Sequence, residues 1–225
     1  MSEMNNRSAV VRNGLILGLF AFVAVALLSG LKYLTADRIE AQARTAQARV
    51  LSELLAADSY DNDLLASRFP IKHRLLGLSE PRSAYIARKG DQATAIILPV
   101  IAPDGYSGNI ELLVAIQADG RIAAVRTLNH RETPGLGDKI ELSKSPWVLS
   151  FLGASLDNPT KSGWAVKKDQ GEFDQFAGAT ITPRAVVKAV HQALEFFKLQ
   201  GDRLLNPVQP AQDASSAGES THELP

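Results

Sequence analysis

Thr180 is the residue whose surroundings best suit covalent chemistry. It closes the run Asp174-Gln175-Phe176-Ala177-Gly178-Ala179-Thr180, and an apolar pattern starts a few positions later. Val186, Val187, Val190, Leu194 and Phe197 recur at the three- and four-residue spacing of one helical face. Thr182 followed by Pro183 reads as an N-cap and a first helical residue, because proline lacks an N–H that would be orphaned there in any case. Thr180 then sits just ahead of a helix N-terminus, where free amides and the dipole favour a phosphate. Gly178 and Ala179 leave room for a bulky group to approach its hydroxyl. The same pattern suits an ordinary loop or capping threonine, and spacing alone leaves both readings open.

A second run, His130-Arg131-Glu132-Thr133-Pro134-Gly135-Leu136-Gly137, is rich in residues that force a tight loop and let backbone approach a ligand. A plain turn would use the same residues. His130 and Glu132 are of the types used in general acid–base work. One His and one Glu do not make a metal site, and a structural role suits both better. Arg184 and Lys188, one turn apart after Thr180, could balance a phosphate or simply form a solvated helix face. The chain has no cysteine, which excludes thiolate metal sites, iron–sulfur ligation and thiol catalysis.

Asp174-x-x-x-Gly178-Ala179-Thr180 resembles the flavinylation motif of membrane electron-transport proteins in the Rnf and Na+-translocating NADH:quinone oxidoreductase complexes. Glu132-Thr133-Pro134-Gly135-Leu136-Gly137 resembles a second signature of that family, and Gly105-Tyr106-Ser107-Gly108 a family turn. Ala177 departs from the pattern, which has Ser or Thr before the Gly. Phe173–Phe176 and Ile181–Arg184 look more like the G subunit of the Rnf complex than the C subunit of the Na+-translocating NADH:quinone oxidoreductase. The resemblance covers about residues 100–195 and the N-terminal anchor.

It implies FMN joined by a phosphoester to Thr180, attached by a separate flavin transferase, with Gly178 and Ala179 as the small pair beside it. On that reading Thr133 is placed to hydrogen-bond the isoalloxazine ring and Leu136 to cover one of its faces. The implied role is a redox relay among other membrane subunits of an ion-translocating oxidoreductase complex, with no catalytic residues or independent active site of its own. Two other classes stay open. One is a membrane-anchored flavoprotein serving an unrelated reductase; the other is a scaffold in which Thr180 only caps a helix.

These residues need elements to position them. Gly14 to Leu31 runs 18 residues without a charge, about 27 Å as a helix, enough for a bilayer core. No convincing cleavage site follows, so the segment reads as an uncleaved transmembrane anchor in contact with lipid. Counting Lys and Arg on either side would put the C-terminal part in the cytoplasm. The resemblance implies the reverse, an inner-membrane protein with its main domain in the periplasm, and that is the expectation taken. Lysine plus arginine and aspartate plus glutamate balance at 24 each, which gives no basic footprint for nucleic acid.

The expected organisation is a tail over 1–13, a transmembrane helix over 14–31 and a helical stalk and linker over 32–80. An FMN-binding domain over 81–205 and a disordered tail over 206–225 complete it. Within the domain, Ser83–Arg88 with Ala93–Ile101, and Asn109–Ile116 with Arg121–Leu128, read as two hairpins. A short helix is expected over Leu64–Phe69, another over Trp147–Leu152, and a short strand over Gly163–Lys167. Strands bracketed by helices make the fold class α+β, a mostly antiparallel sheet with flanking helices behind an N-terminal transmembrane helix.

Overall fold

The computed structural model describes residues 2–205; the segment from Asn206, expected to be disordered, lies outside them. The chain divides into two units, one ending at Val50 and the other beginning at Leu51.

The first unit is helix. α1 (Ser2–Ser52) is continuous, so it takes in the stretch expected as a tail and covers the first part of the stalk and linker expected over 32–80. Its stretch from Arg12 to Ala36 contains an 18-residue window with a mean hydropathy of 2.5, none of which is buried. At about 1.5 Å per residue the 25 residues of that stretch exceed the ~30 Å of a hydrocarbon core. A helix apolar on all sides and uncovered by protein requires another apolar medium.

The second unit is built on a five-stranded antiparallel meander, β1 (Arg68–Ile71), β2 (Arg82–Lys89), β3 (Gln92–Gly105), β4 (Gly108–Gln117) and β5 (Ile122–Asn129), in that spatial order. Both expected hairpins are present. The short helix expected over Leu64–Phe69 is absent: 64–67 form a turn, and β1 begins at Arg68. It is an edge strand of four residues containing Pro70, too short to show a period and with one donor missing, which is tolerated only at an edge. The strand expected over Gly163–Lys167 is reduced to a single bridge between Val166 and Phe173, and Pro146–Phe151 forms a 3-10 helix where a short helix was expected.

Both faces of the sheet are covered. On one face Ile96, Leu98, Val100, Leu112, Val114 and Ile116 share a core with Val186, Val190, Ala193, Leu194 and Phe197 of α2 (Ile181–Leu205). Residues of opposite parity, among them Ala95, Ile97, Leu113 and Ala115, are buried outside that core, because successive side chains point to opposite faces. Leu54 and Leu55 line a groove together with Ala95 and Ala123 on that side. Asn62 fixes the segment to the edge of β2: its Nδ2 donates to the Ile86 carbonyl at 2.9 Å and its Oδ1 accepts the Arg88 amide at 2.8 Å. Burial on two faces explains why Ala95–Ile101 reads as an unbroken apolar run rather than an alternating one. The compact unit therefore starts at Leu51 and includes β1, whereas the flavin domain was expected from residue 81.

An aromatic cluster fills the end of the core from which the C-terminal loop departs. Phe151 is fully buried, stacked 4.7 Å from Phe173 and edge-on to Trp147 at 5.3 Å, and Trp147 meets Phe176 at 5.1 Å. Phe151→Ala should lower stability by about 3–5 kcal/mol, measured as a fall in the urea midpoint of the detergent-solubilised chain. A midpoint equal to the wild type would show that the cluster repacks around the void.

Candidate functional site

The Asp174–Thr180 segment is pinned before it reaches the helix. The Trp147 indole N–H donates to the Asp174 carbonyl at 2.8 Å, and the Asp174 carboxylate pairs with Lys167 at 2.6 Å. Phe176 turns into the aromatic cluster, and the Ala179 amide donates back to the Phe176 carbonyl at 3.1 Å. That bond closes a turn through Gly178, whose φ is 80°. A side chain at that φ would be strained, so glycine is required there for its backbone, not only for space.

α2 begins at Ile181, and the Thr180 carbonyl accepts its first intrahelical bond from the Arg184 amide at 3.3 Å. Thr180 therefore holds the N-cap position that was expected of Thr182. Thr180 is half-buried, and its hydroxyl has no hydrogen-bond partner among the described residues. Thr182 is instead fully buried, and its hydroxyl donates to Glu132 Oε2. Pro183 falls third in the helix rather than first. Its missing N–H is still one of the four that no intrahelical carbonyl would take.

The second loop meets the first at this point. The Leu136 and Gly137 amides both donate to the Thr133 carbonyl, at 3.1 and 3.0 Å, which folds 133–137 into a tight turn. Leu136 is 41% exposed, and its Cδ2 lies 3.5 Å from where a Cβ on Gly178 would stand. Gly137 has to be small: a Cβ there would sit 2.9 Å from both Glu132 Cβ and Thr182 Oγ1. Thr133, Leu136, Gly178, Ala179 and Thr180, all singled out in the sequence, are thus carried on two loops that touch. Tyr106 and Ile181, 67% and 45% exposed, add apolar surface on the segments joined to them. Both lie in stretches whose resemblance was noted in the sequence, but neither was named there as a site residue, since an exposed aromatic in a turn and a lone isoleucine before a threonine carry no period.

The charged candidates are engaged elsewhere. His130 accepts the Glu132 amide on Nδ1 at 3.0 Å, which leaves Nε2 to donate to Glu141 at 2.8 Å. Arg184 forms a two-point pair with Asp169 at 2.5 and 2.8 Å, and its guanidinium hydrogen bond holds the Asp169 carboxyl below the usual range. Lys188 pairs with Asp104 at 2.6 Å. Among the described residues no group of three or more His, Cys, Asp or Glu could hold a metal.

Comparison with known proteins agrees with this arrangement. Residues 105–195 match the FMN-binding domain family, a span that holds both loops, and residues 1–54 match the RnfG N-terminal region. The G subunit of the ion-translocating oxidoreductase complex of Pseudomonas aeruginosa (strain PAO1) is 55% identical over 206 residues, 91% of this chain and 96% of that protein. The chain belongs to the family of G subunits of the ion-translocating oxidoreductase complex. Other G subunits of the family are similar over comparable spans. That of Shewanella loihica is 47% identical over 89% of this chain and 95% of its own length. That of Vibrio cholerae (strain O395) is 43% identical over 91% and 98%. Of the two complexes that the motifs resemble, these relatives favour the Rnf type.

The altered role of Thr182 changes what its loss should do. Thr182→Val deletes the hydroxyl without a change of shape and leaves a buried carboxylate oxygen short of a donor. Stability should fall by about 1–3 kcal/mol, while Thr182→Ser should recover most of it. Equal denaturant midpoints for the Val and wild-type chains would show that the hydroxyl does not serve Glu132.

Proposed function

We propose that the chain is a membrane-anchored redox subunit, carrying FMN on Thr180 and relaying electrons within an ion-translocating oxidoreductase complex. One observation carries the assignment. The FMN-binding domain match covers two loops that meet beside a threonine whose hydroxyl has no partner among the described residues, at the start of a 25-residue helix.

The residues present fit the group. A phosphoester on Thr180 would face the free amides and positive dipole end of α2, which favour a phosphate without any side-chain cation. Gly178 and Ala179 keep the approach open, and Leu136 offers an apolar surface beside Gly178. Thr133, exposed on the adjoining turn, presents a hydroxyl for a polar edge of the ring. FMN held there supplies one- and two-electron transfer, and the protein supplies its position and electrostatic surroundings. In the attachment a separate flavin transferase would supply the FMN phosphoryl from a flavin dinucleotide: the Thr180 oxygen loses its proton and forms the new P–O bond as the donor's pyrophosphate P–O bond breaks and the nucleoside monophosphate leaves. No acid–base residue of this chain is required for electron transfer, in keeping with His130 and Glu132 being occupied by structural bonds.

The partners on this reading are the other membrane subunits of the complex, together with the lipid around Arg12–Ala36. The compartment is the inner membrane with the unit from Leu51 on its periplasmic side. A scaffold or an isolated flavoprotein would share the anchor but not the whole set of properties.

Two measurements test the reading. With a flavin transferase co-expressed, the wild-type chain should fluoresce in a denaturing gel, while Thr180→Ala should be folded, membrane-bound and dark. Persistent fluorescence in Thr180→Ala, or FMN mapped to Thr182 by peptide mass, would refute the acceptor. For topology, a reporter that folds only outside the cytoplasm should be active when fused after Lys198. Activity of a cytoplasm-dependent reporter at the same site would show that the Lys/Arg balance sets the orientation after all.

A further inference from the structure

Glu132 is only 4% exposed, and both of its carboxylate oxygens are occupied. Oε1 accepts the Ser107 amide at 2.9 Å from the turn between β3 and β4, and Oε2 accepts the Thr182 hydroxyl. An ionised carboxylate is acceptor-only, and here each oxygen faces a donor. Both donors are neutral, and among the described residues no Lys, Arg or His forms an ion pair with it. The negative charge is stabilised by hydrogen bonds and by the start of α2, and among the described residues no cation lies within ion-pair distance of it. Its place is specific. It bonds Thr182, two residues beyond Thr180, and its Cβ packs on Gly137, the neighbour of Leu136.

We propose that Glu132 is a positioning residue of the flavin site whose uncompensated buried charge holds the flavin's reduction potential down. The inference rests on the reading of Thr180 as the flavin carrier. Two electrons and one proton taken up by a flavin add one negative charge to it. A fixed like charge nearby, screened little because it is buried, opposes that gain. Its bond to Thr182 also sets the spacing between the Leu136 loop and the first turn of α2, and its bond to Ser107 ties that loop to the turn between β3 and β4, so the one side chain fixes both where the flavin lies and the field it feels.

The test uses the full-length chain co-expressed with a flavin transferase, as wild type, Glu132→Gln and Glu132→Asp. Covalent flavin is read by in-gel fluorescence, and midpoint potential by spectroelectrochemical titration. Glu132→Gln keeps the size and an oxygen for Ser107 but loses the charge; it should retain flavin and show a raised potential. Glu132→Asp keeps the charge but is one methylene too short to bridge both donors; it should load less flavin and hold a potential near the wild type. A wild-type potential in Glu132→Gln, or an equal upward shift in both variants, would overturn the electrostatic claim. Full loading of Glu132→Asp would overturn the positioning claim. Should Glu132→Gln not fold, Glu132→Asp decides alone: an unmoved potential with reduced loading supports the proposal and a raised one refutes it. A wild-type chain without covalent flavin would instead refute the Thr180 reading, and this inference with it.

Discussion

A carboxylate removed from water must have its oxygens satisfied or the fold loses several kilocalories per mole. Glu132 meets that demand with donors from two other segments, the Ser107 amide and the Thr182 hydroxyl. The requirement propagates. Gly137 must be small because its neighbour space holds the Glu132 side chain and the Thr182 hydroxyl. Thr182 must be buried, so α2 has to start at Ile181 rather than later. Thr180 is thereby left at the N-cap, half-buried, with no partner for its hydroxyl among the described residues. Its placement follows from the buried acid.

That arrangement needs a rigid frame, and the sheet supplies it. Ser107 sits in the turn between the two longest strands, which pair over most of their length. The Glu132 loop leaves from the end of β5, and α2 packs along β3. The aromatic cluster holds the Asp174–Thr180 segment, through the Trp147 bond to the Asp174 carbonyl and the Trp147–Phe176 contact. Without those two holds, the approach to the helix would be a loop with nothing to fix it to the core.

Where periodicity is long, the sequence can be read closely: the apolar span, both hairpins and α2 are where their patterns put them. Short or irregular elements cannot. β1 offers four residues and a proline, and its strand identity comes wholly from pairing with β2. The helix starts earlier than its local signal indicates for a definite reason. Thr182-Pro183 is a strong capping pattern, but the buried acceptor at Glu132 lies fifty residues away in sequence and takes the hydroxyl in place of the local amides. The two loops of the site can be named from their motifs. That Leu136 would touch Gly178, or that Glu132 would join them, depends on long-range closure that no local pattern encodes.

The exposure of the site bears on why a covalent bond is useful in it. Leu136, Tyr106 and Ile181 present apolar side chains that are 41%, 67% and 45% exposed. The nearest basic side chains of α2 are paired with Asp169 and Asp104, which would leave helix amides as the partners of a phosphate held there. Such a surface recovers little of the roughly 4–15 kcal/mol that immobilising a free ligand demands. A flavin bound there by contact alone would be lost to solution. An enclosing pocket would retain it, but would also hold redox partners away from the ring. On the proposed reading, a phosphoester at Thr180 would remove the need for enclosure: the flavin would stay on an open surface within reach of its redox partners, and the local fold would be free to set its position and potential.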